Sequence, residues 1–108
     1  MNWKITFYGE RVEAEIQAFP AGFLARFLRY AERMEIYGPD LGMPHTRAMG
    51  KGLFELRLKS EEGIARVLYC TIVGQHIVML HQFVKKTNKT PRKELETAHK
   101  RMKEVKDG

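Results

Sequence analysis

The sequence predicts an α+β domain with element order β-α-α-β-β-β-α, its helices packed on an antiparallel sheet. Three observations carry this. Residues 3–8 alternate and are rich in β-branched and aromatic side chains. Two stretches with apolar residues at helical spacing follow, parted only by Pro20. Three β-rich runs joined by short turns then precede a last helical stretch, a pattern that gives an antiparallel meander with helices gathered on one face.

Each element has its local reason. Gly9 ends the first strand. Residues 10–18 place Val12, Ile16 and Phe19 at helical spacing, with Glu13, Glu15 and Gln17 opposite. Residues 21–37 carry the stripe Phe23, Leu24, Phe27, Leu28, Ala31 and Met34, stopped by Gly38 and Pro39. Residues 39–52 read as loop because of Gly42, Pro44, Gly50 and Gly52. In residues 53–59, Phe54, Leu56 and Leu58 point one way and Glu55, Arg57 and Lys59 the other. Residues 64–73 are continuous enough to be a central strand. Gly74 and Gln75 make a turn into residues 76–84. Thr90 is placed to cap a helix with Pro91 at its first position, and Leu95, Ala98, Met102 and Val105 form its stripe.

The whole chain, residues 1–108, is sized for a single domain with its own core. At 44% hydrophobic residues it is not a disordered segment. Cys70 is the only cysteine, which excludes an internal disulfide framework and suits a reducing compartment. The N-terminal residues lack signal-peptide character, and no run reaches the roughly 18 apolar residues of a membrane span. A cytoplasmic protein with no membrane partner is expected. The net charge is +6, and nine of the nineteen basic residues fall at or after Lys85. Such a bias suits a polyanionic partner, although a solvated Lys-rich helix produces the same composition.

The motifs exclude several chemistries. His45, His76, His81 and His99 form no pair at metal-ligand spacing, and His76 and His81, five apart on one strand, are expected on opposite faces. No Gly-rich loop has phosphate-cradling form, and the short Gly50-Lys51-Gly52 cannot act as one alone. Ser60, the only serine, sits in a turn beside two glutamates and is a poor nucleophile. No metal or other cofactor is expected. What remains is a polar sheet face with Glu55, Arg57 and Lys59, then Arg66 and Tyr69, then His81, Gln82 and Phe83, with Lys85 and Lys86 at the exit. Metal-free RNA cleavage must deprotonate a 2′-OH, stabilise the phosphorane and protonate the leaving oxygen. Arg57 and Arg66 suit the charge role. His81, Glu55, Lys85 or Lys86 suit proton transfer, and Tyr69 or Phe83 suits stacking on a base. The same residues also have ordinary readings, as a solvated face, a core histidine and core aromatics.

The region from Met49 to Lys106 resembles a known family in its run Gly52-Leu53-Phe54-Glu55-Leu56-Arg57, its Arg66-x-x-Tyr69, its Leu80-His81-x-Phe83-x-Lys85-Lys86 and its Lys89-Thr90-Pro91. Together these look like the phage-derived HigB-like branch of the RelE/ParE toxins. The resemblance implies a RelE-like fold and the toxin of a type II toxin–antitoxin pair. It also implies an endoribonuclease that cuts mRNA on the ribosome, neutralised by a helix-turn-helix antitoxin that also contacts operator DNA. It carries Arg57, Arg66, His81, Lys85 and Lys86 over as catalytic; Lys51, Glu55, Tyr69, Phe83 and Lys89 are expected, beside it, to bind RNA. The chain has no tyrosine after Tyr69, so the C-terminal catalytic tyrosine of some relatives is missing. The alternatives are a ParE-like, non-enzymatic inhibitor of DNA gyrase and an inactive nucleic-acid-binding member, since fold alone does not settle function.

Overall fold

β1 (Lys4–Phe7) leads into α1 (Glu10–Gln17) and α2 (Ala21–Tyr37), then β2 (Thr46–Gly50), β3 (Leu53–Ser60), β4 (Gly63–Ile72), β5 (His76–Lys85) and α3 (Arg92–Asp107). This computed structural model describes residues 2–85 and 89–108, the side chain of Lys85 excepted. The expected α+β fold and meander are present, and the five strands lie in the order β1-β5-β4-β3-β2. The sheet is mixed, because β1 joins β5 in parallel while the other pairs are antiparallel.

Two departures from the sequence reading follow from backbone pairing. The expected loop 39–52 contains β2. Its residues lack strand-like alternation, but they pair with β3 across a tight turn in which Gly50, Lys51 and Gly52 all take positive φ. The helices also cover both faces of the sheet. The α1–α2 hairpin buries Val12, Ile16, Phe23, Phe27, Tyr30 and Met34 against Leu56, Leu58, Val67, Tyr69, Ile77 and Met79. On the other face, Ala98 and Met102 of α3 close over Leu53, Leu68, Cys70, Val78 and Leu80, with Leu95 and Val105 alongside. β3 and β4 therefore bury both of their faces, which is why the central strand reads as a continuous apolar run.

The stripe of α2 is rotated slightly from the expected one. Phe23, Phe27, Tyr30 and Met34 are buried, a clean helical spacing, while Leu28 is 53% exposed. Ile16→Val should therefore lower stability by about 0.5–1.5 kcal/mol, whereas Leu28→Ala should change it by less than about 0.5 kcal/mol. Urea melts that rank the two the other way would place the wrong face of the hairpin inward.

A register shift in β5 sets up the polar face. Tyr69 pairs with Met79 and Leu68 with His81, which leaves Leu80 as the extra residue of a bulge. The bulge brings His81 and Phe83 to the same side as His76, Val78 and Leu80. The two histidines therefore share a face, contrary to simple alternation. His76 stays apart at the β1–β5 seam, with Nε2 2.6 Å from the Thr6 hydroxyl oxygen. Burial first, and then the charge of Lys4, pull its imidazole below the ordinary histidine value.

Candidate nucleic-acid interface

The sheet register gathers charge into two rows on the α3 side. One row runs Arg47, Glu55, Leu68, His81 across β2 to β5, and the next runs Arg57, Arg66, Phe83 across β3 to β5. Neighbouring strands lie about 4.8 Å apart, so each row spans only some 10–15 Å. α3 packs over the same face through Ala98 and Met102, with Phe83 and Leu95 alongside.

Glu55 is the centre of the cluster and has no solvent exposure. Its Oε1 lies 3.7 Å from Arg47 Nη2 and 4.0 Å from Arg57 Nε, and its Oε2 lies 3.8 Å from Arg66 Nε. The Thr90 hydroxyl donates to Oε2. Thr90 is thus not the expected helix cap. Pro91 holds the cap position of α3 without a side-chain bond, and the Thr90 hydroxyl turns back to the sheet. A buried carboxylate is costly unless charges surround it, and here three guanidiniums do. Arg57 and Arg66 stand directly opposite one another. That juxtaposition of like charges is unfavourable alone, and Glu55 relieves it.

The three arginines differ in access. Arg66 is fully buried, and its Nη1 donates to the Lys89 carbonyl at 3.1 Å. Burial pulls its guanidinium below the ordinary arginine value; Glu55 opposes that shift, and Arg57 and Arg47 add to it. The Arg57 side chain is 20% exposed and that of Arg47 39%. Neither Glu55 Oε1 nor Arg57 Nε has a hydrogen bond among the described residues. The Arg57 guanidinium is therefore partly accessible and not fully committed among the described residues.

Arg57 also lines a cleft with Arg26 and Tyr30 of α2, Pro44, His45, Lys59 and Ile64. The Arg57 amide donates to the His45 carbonyl at 2.9 Å, and the His45 ring packs 4.8 Å from that of Tyr30. Two arginines, a lysine, an imidazole and a phenol thus converge at the edge of the sheet. Such a cleft can hold a phosphodiester through bidentate guanidinium contacts, and an imidazole within it can carry a proton either way.

The sequence-predicted residues divide accordingly. Arg57, Arg66, Glu55, His81 and Phe83 share the face. Lys89 is exposed beside it and joined to Arg66 through its carbonyl. Tyr69 faces the opposite side, is fully buried and donates its hydroxyl to the Pro39 carbonyl, so it cannot stack on a base there. Burial pushes its phenol well above the ordinary value. Lys51 sits in the β2–β3 turn, next to Gly52, which approaches Lys106 near the end of α3; this is the other end of the face. Lys86 and the side chain of Lys85 lie outside the described residues. Glu55 reaches no solvent and is a support, not a surface contact.

His81 is also tied down. Its Nε2 is 2.6 Å from Glu94 Oε1, and because a carboxylate only accepts, Nε2 carries the hydrogen. Its Nδ1 faces Arg101 Nη1 at 3.5 Å, and Arg101 itself donates to the Leu80 carbonyl at 2.8 Å. Both ring nitrogens therefore point at α3. Arg26, His45 and Arg47 were not singled out from sequence. A hairpin read through Gly50-Lys51-Gly52 would have brought Arg47 opposite Glu55, whereas Arg26 on an exposed helix face gives no signal.

A small α+β domain with a phosphate-ready guanidinium cluster on one sheet face is the class of protein that this fold and site define. A family model described as "Phage derived protein Gp49-like (DUF891)" matches residues 14–103. Among solved structures, the chain is similar to a double arginine-to-alanine mutant of the E. coli toxin RelE in the free state. The TM-score is 0.68 at 14% identity, over 94% of this chain and 99% of that one. It is also similar to a chain of the archaeal RelE–RelB complex from Pyrococcus horikoshii OT3. There the TM-score is 0.54 at 18% identity, over 82% of this chain and 100% of that one. No curated protein matches. The chain belongs to the phage-derived Gp49-like family, and its fold is that of the RelE-like toxins. No helix among the described residues is long and apolar enough to cross a membrane.

Proposed function

We propose that this chain is the toxin of a type II toxin–antitoxin pair and acts as an endoribonuclease on ribosome-associated mRNA. The observation that carries the proposal is Arg57. It sits over the buried Glu55, opposite Arg66, and opens into a cleft with Arg26, His45 and Lys59. In this reading Arg57, with Arg47 beside it, holds the scissile phosphate and stabilises the phosphorane. Arg66 sets the positive field from within the sheet and anchors the segment before α3 through the Lys89 carbonyl. Phe83 and Lys89 flank the row for a base and a phosphate.

His45 is the proton-transfer group that the cleft offers, with the amines of Lys85 and Lys86 as the alternative from the sequence. His81 then serves as a brace for α3. His45→Gln should slow cleavage by about 10²-fold, the lower end of general acid–base effects, and His81→Gln should change it by only a few-fold. The reverse ranking would return His81 to catalysis, and a collapse in Lys85→Ala/Lys86→Ala with His45→Gln unaffected would assign the amines.

The experiment that tests the function is controlled expression of the chain with primer extension on translated messages. Cuts in translated messages, reproduced with purified protein and ribosomes, are expected. Growth arrest without cuts, with gyrase inhibited, would favour the ParE-like alternative. A helix-turn-helix antitoxin encoded beside the gene should restore growth, and operator DNA is then reached through it. Because the site is built from cations, RNA binding should weaken steeply between about 50 and 200 mM salt. A flat response would rule out phosphate contacts as its basis.

A further inference from the structure

We propose that Tyr69, Asp40 and Thr46 are positioning residues, which together hold the loop between α2 and β2 so that the His45 imidazole stands in the Arg57 cleft. The proposal rests on the reading of His45 as the proton-transfer group. Tyr69 reaches the loop from the centre of the sheet. It is fully buried in β4, stacks on Phe54 at 5.5 Å, and donates its hydroxyl to the Pro39 carbonyl, 30 residues earlier. A phenylalanine would fill the same space; what the hydroxyl adds is the bond to Pro39.

No helix or strand orders the chain between α2 and β2, so its polar groups must. Thr46 is buried, and its hydroxyl donates to Asp40 Oδ1 at 3.1 Å and accepts the Leu41 amide at 2.9 Å. Asp40 Oδ1 also accepts the Gly42 amide at 2.9 Å. The Gly42 carbonyl in turn accepts the His45 and Thr46 amides, both at 3.0 Å. The His45 carbonyl accepts the Arg57 amide at 2.9 Å. His45 is thus tied at its amide to the loop and at its carbonyl to β3, whose Arg57 side chain lines the same cleft. Burial, and then the Asp40 charge, push the Tyr69 phenol up, while Thr46 opposes them, so the three side chains meet at one point. The phenol stays protonated and keeps its hydrogen for Pro39.

Proton transfer makes this network matter. A catalytic group displaced by about 1 Å can lose about 10²-fold in rate, and a side chain on a loop is the one most easily displaced. Here the ring has a defined seat, with its centroid 4.8 Å from that of Tyr30. Tyr69 belongs to the core on the hairpin side of the sheet, whereas the arginine rows lie on the α3 side. It therefore acts through the loop and touches no RNA. Asp40 and Thr46 likewise spend their hydrogen bonds inside the loop.

The test uses the full chain and reads the ring and the rate separately. In the protein without RNA, the His45 ring protons should be displaced from free-histidine positions by the Tyr30 ring current. Tyr69→Phe and Thr46→Val should move them back, whereas Thr46→Ser, which keeps the hydroxyl, should not. Asp40 is exposed, so Asp40→Ala probes the same network if Thr46→Val fails to fold. In cleavage with purified ribosomes, Tyr69→Phe and Thr46→Val should each lower kcat by about tenfold or more with KM unchanged. Added to His45→Gln they should slow cleavage no further, because no imidazole is left to place. Ring protons that stay in place in every variant overturn the proposal. So does an equal loss of rate with and without His45, which marks the network as merely structural. Ring protons that move while His45→Gln cleaves at the wild-type rate overturn the reading of His45 itself, and with it the catalytic purpose of the loop. Because the ring is read without RNA, the two failures are told apart.

Discussion

Arg57→Ala is expected to lower RNA cleavage by about 10²-fold or more, the scale of one preorganised charge donor, while moving the urea midpoint little. The side chain is partly exposed, its Nε makes no hydrogen bond to the described residues, and its Nε lies a loose 4.0 Å from Glu55 Oε1. Glu55 keeps Arg66 and Arg47 when Arg57 is removed, so no buried charge is abandoned. Loss of the guanidinium therefore falls on the ligand, not on the fold. Arg57→Lys should recover only part of the rate, because an ammonium cannot make the paired, planar contact with phosphate oxygens. Single-turnover cleavage with purified ribosomes, set beside melts of the same preparations, reads both quantities. Full activity in Arg57→Ala would move the active surface away from the β3 edge.

What could be read from the sequence depended on where the ordering information is local. The alternation Phe54, Leu56, Leu58 against Glu55, Arg57, Lys59 placed the charged residues of β3 on one face, and the register bears this out. The helical hairpin was equally legible, because Phe23, Phe27 and Met34 recur at the helix period. β2 was not, since its pairing is set by the backbone turn at Gly50-Lys51-Gly52 and not by apolar periodicity. Nor was the bulge at Leu80, which puts His81 on the same side as His76 and which no residue type announces. Tyr69 shows the same limit from the other direction. Its neighbour in the motif, Arg66, faces α3, but an offset of three residues puts Tyr69 on the hairpin side, where Phe54 stacks on it at 5.5 Å. The family-like Lys89-Thr90-Pro91 was visible as a helix start, yet the partners that fix it, Arg66 and Glu55, lie 23 and 35 residues earlier. Contacts at such separation leave no periodic trace.

Arg66 should prove to be the keystone of the site's architecture, and Arg66→Met should cost about 3–5 kcal/mol of stability, the penalty for breaking a buried ion pair, a large share of a typical total of about 5–15 kcal/mol. The substitution keeps an unbranched stem in the sheet but deletes the charge 3.8 Å from Glu55 and the bond to the Lys89 carbonyl. Glu55 would then remain buried, held by two arginines that approach only its other oxygen. Glu55→Gln should be destabilising for the converse reason: Arg47, Arg57 and Arg66 would crowd a neutral amide. If the pair acts as a unit, the double variant Arg66→Met/Glu55→Gln should lose less than the sum of the single losses, by about 0.5–3 kcal/mol. Activity should not return with stability in the double variant, because the segment from Lys89 to Pro91 stays unanchored and the start of α3 is free to shift. Strict additivity in urea melts would show that Glu55 and Arg66 are merely adjacent. A loss below about 1 kcal/mol for Arg66→Met, the level of an exposed ion pair, would show that the guanidinium is solvated and that this account of the buried cluster is wrong.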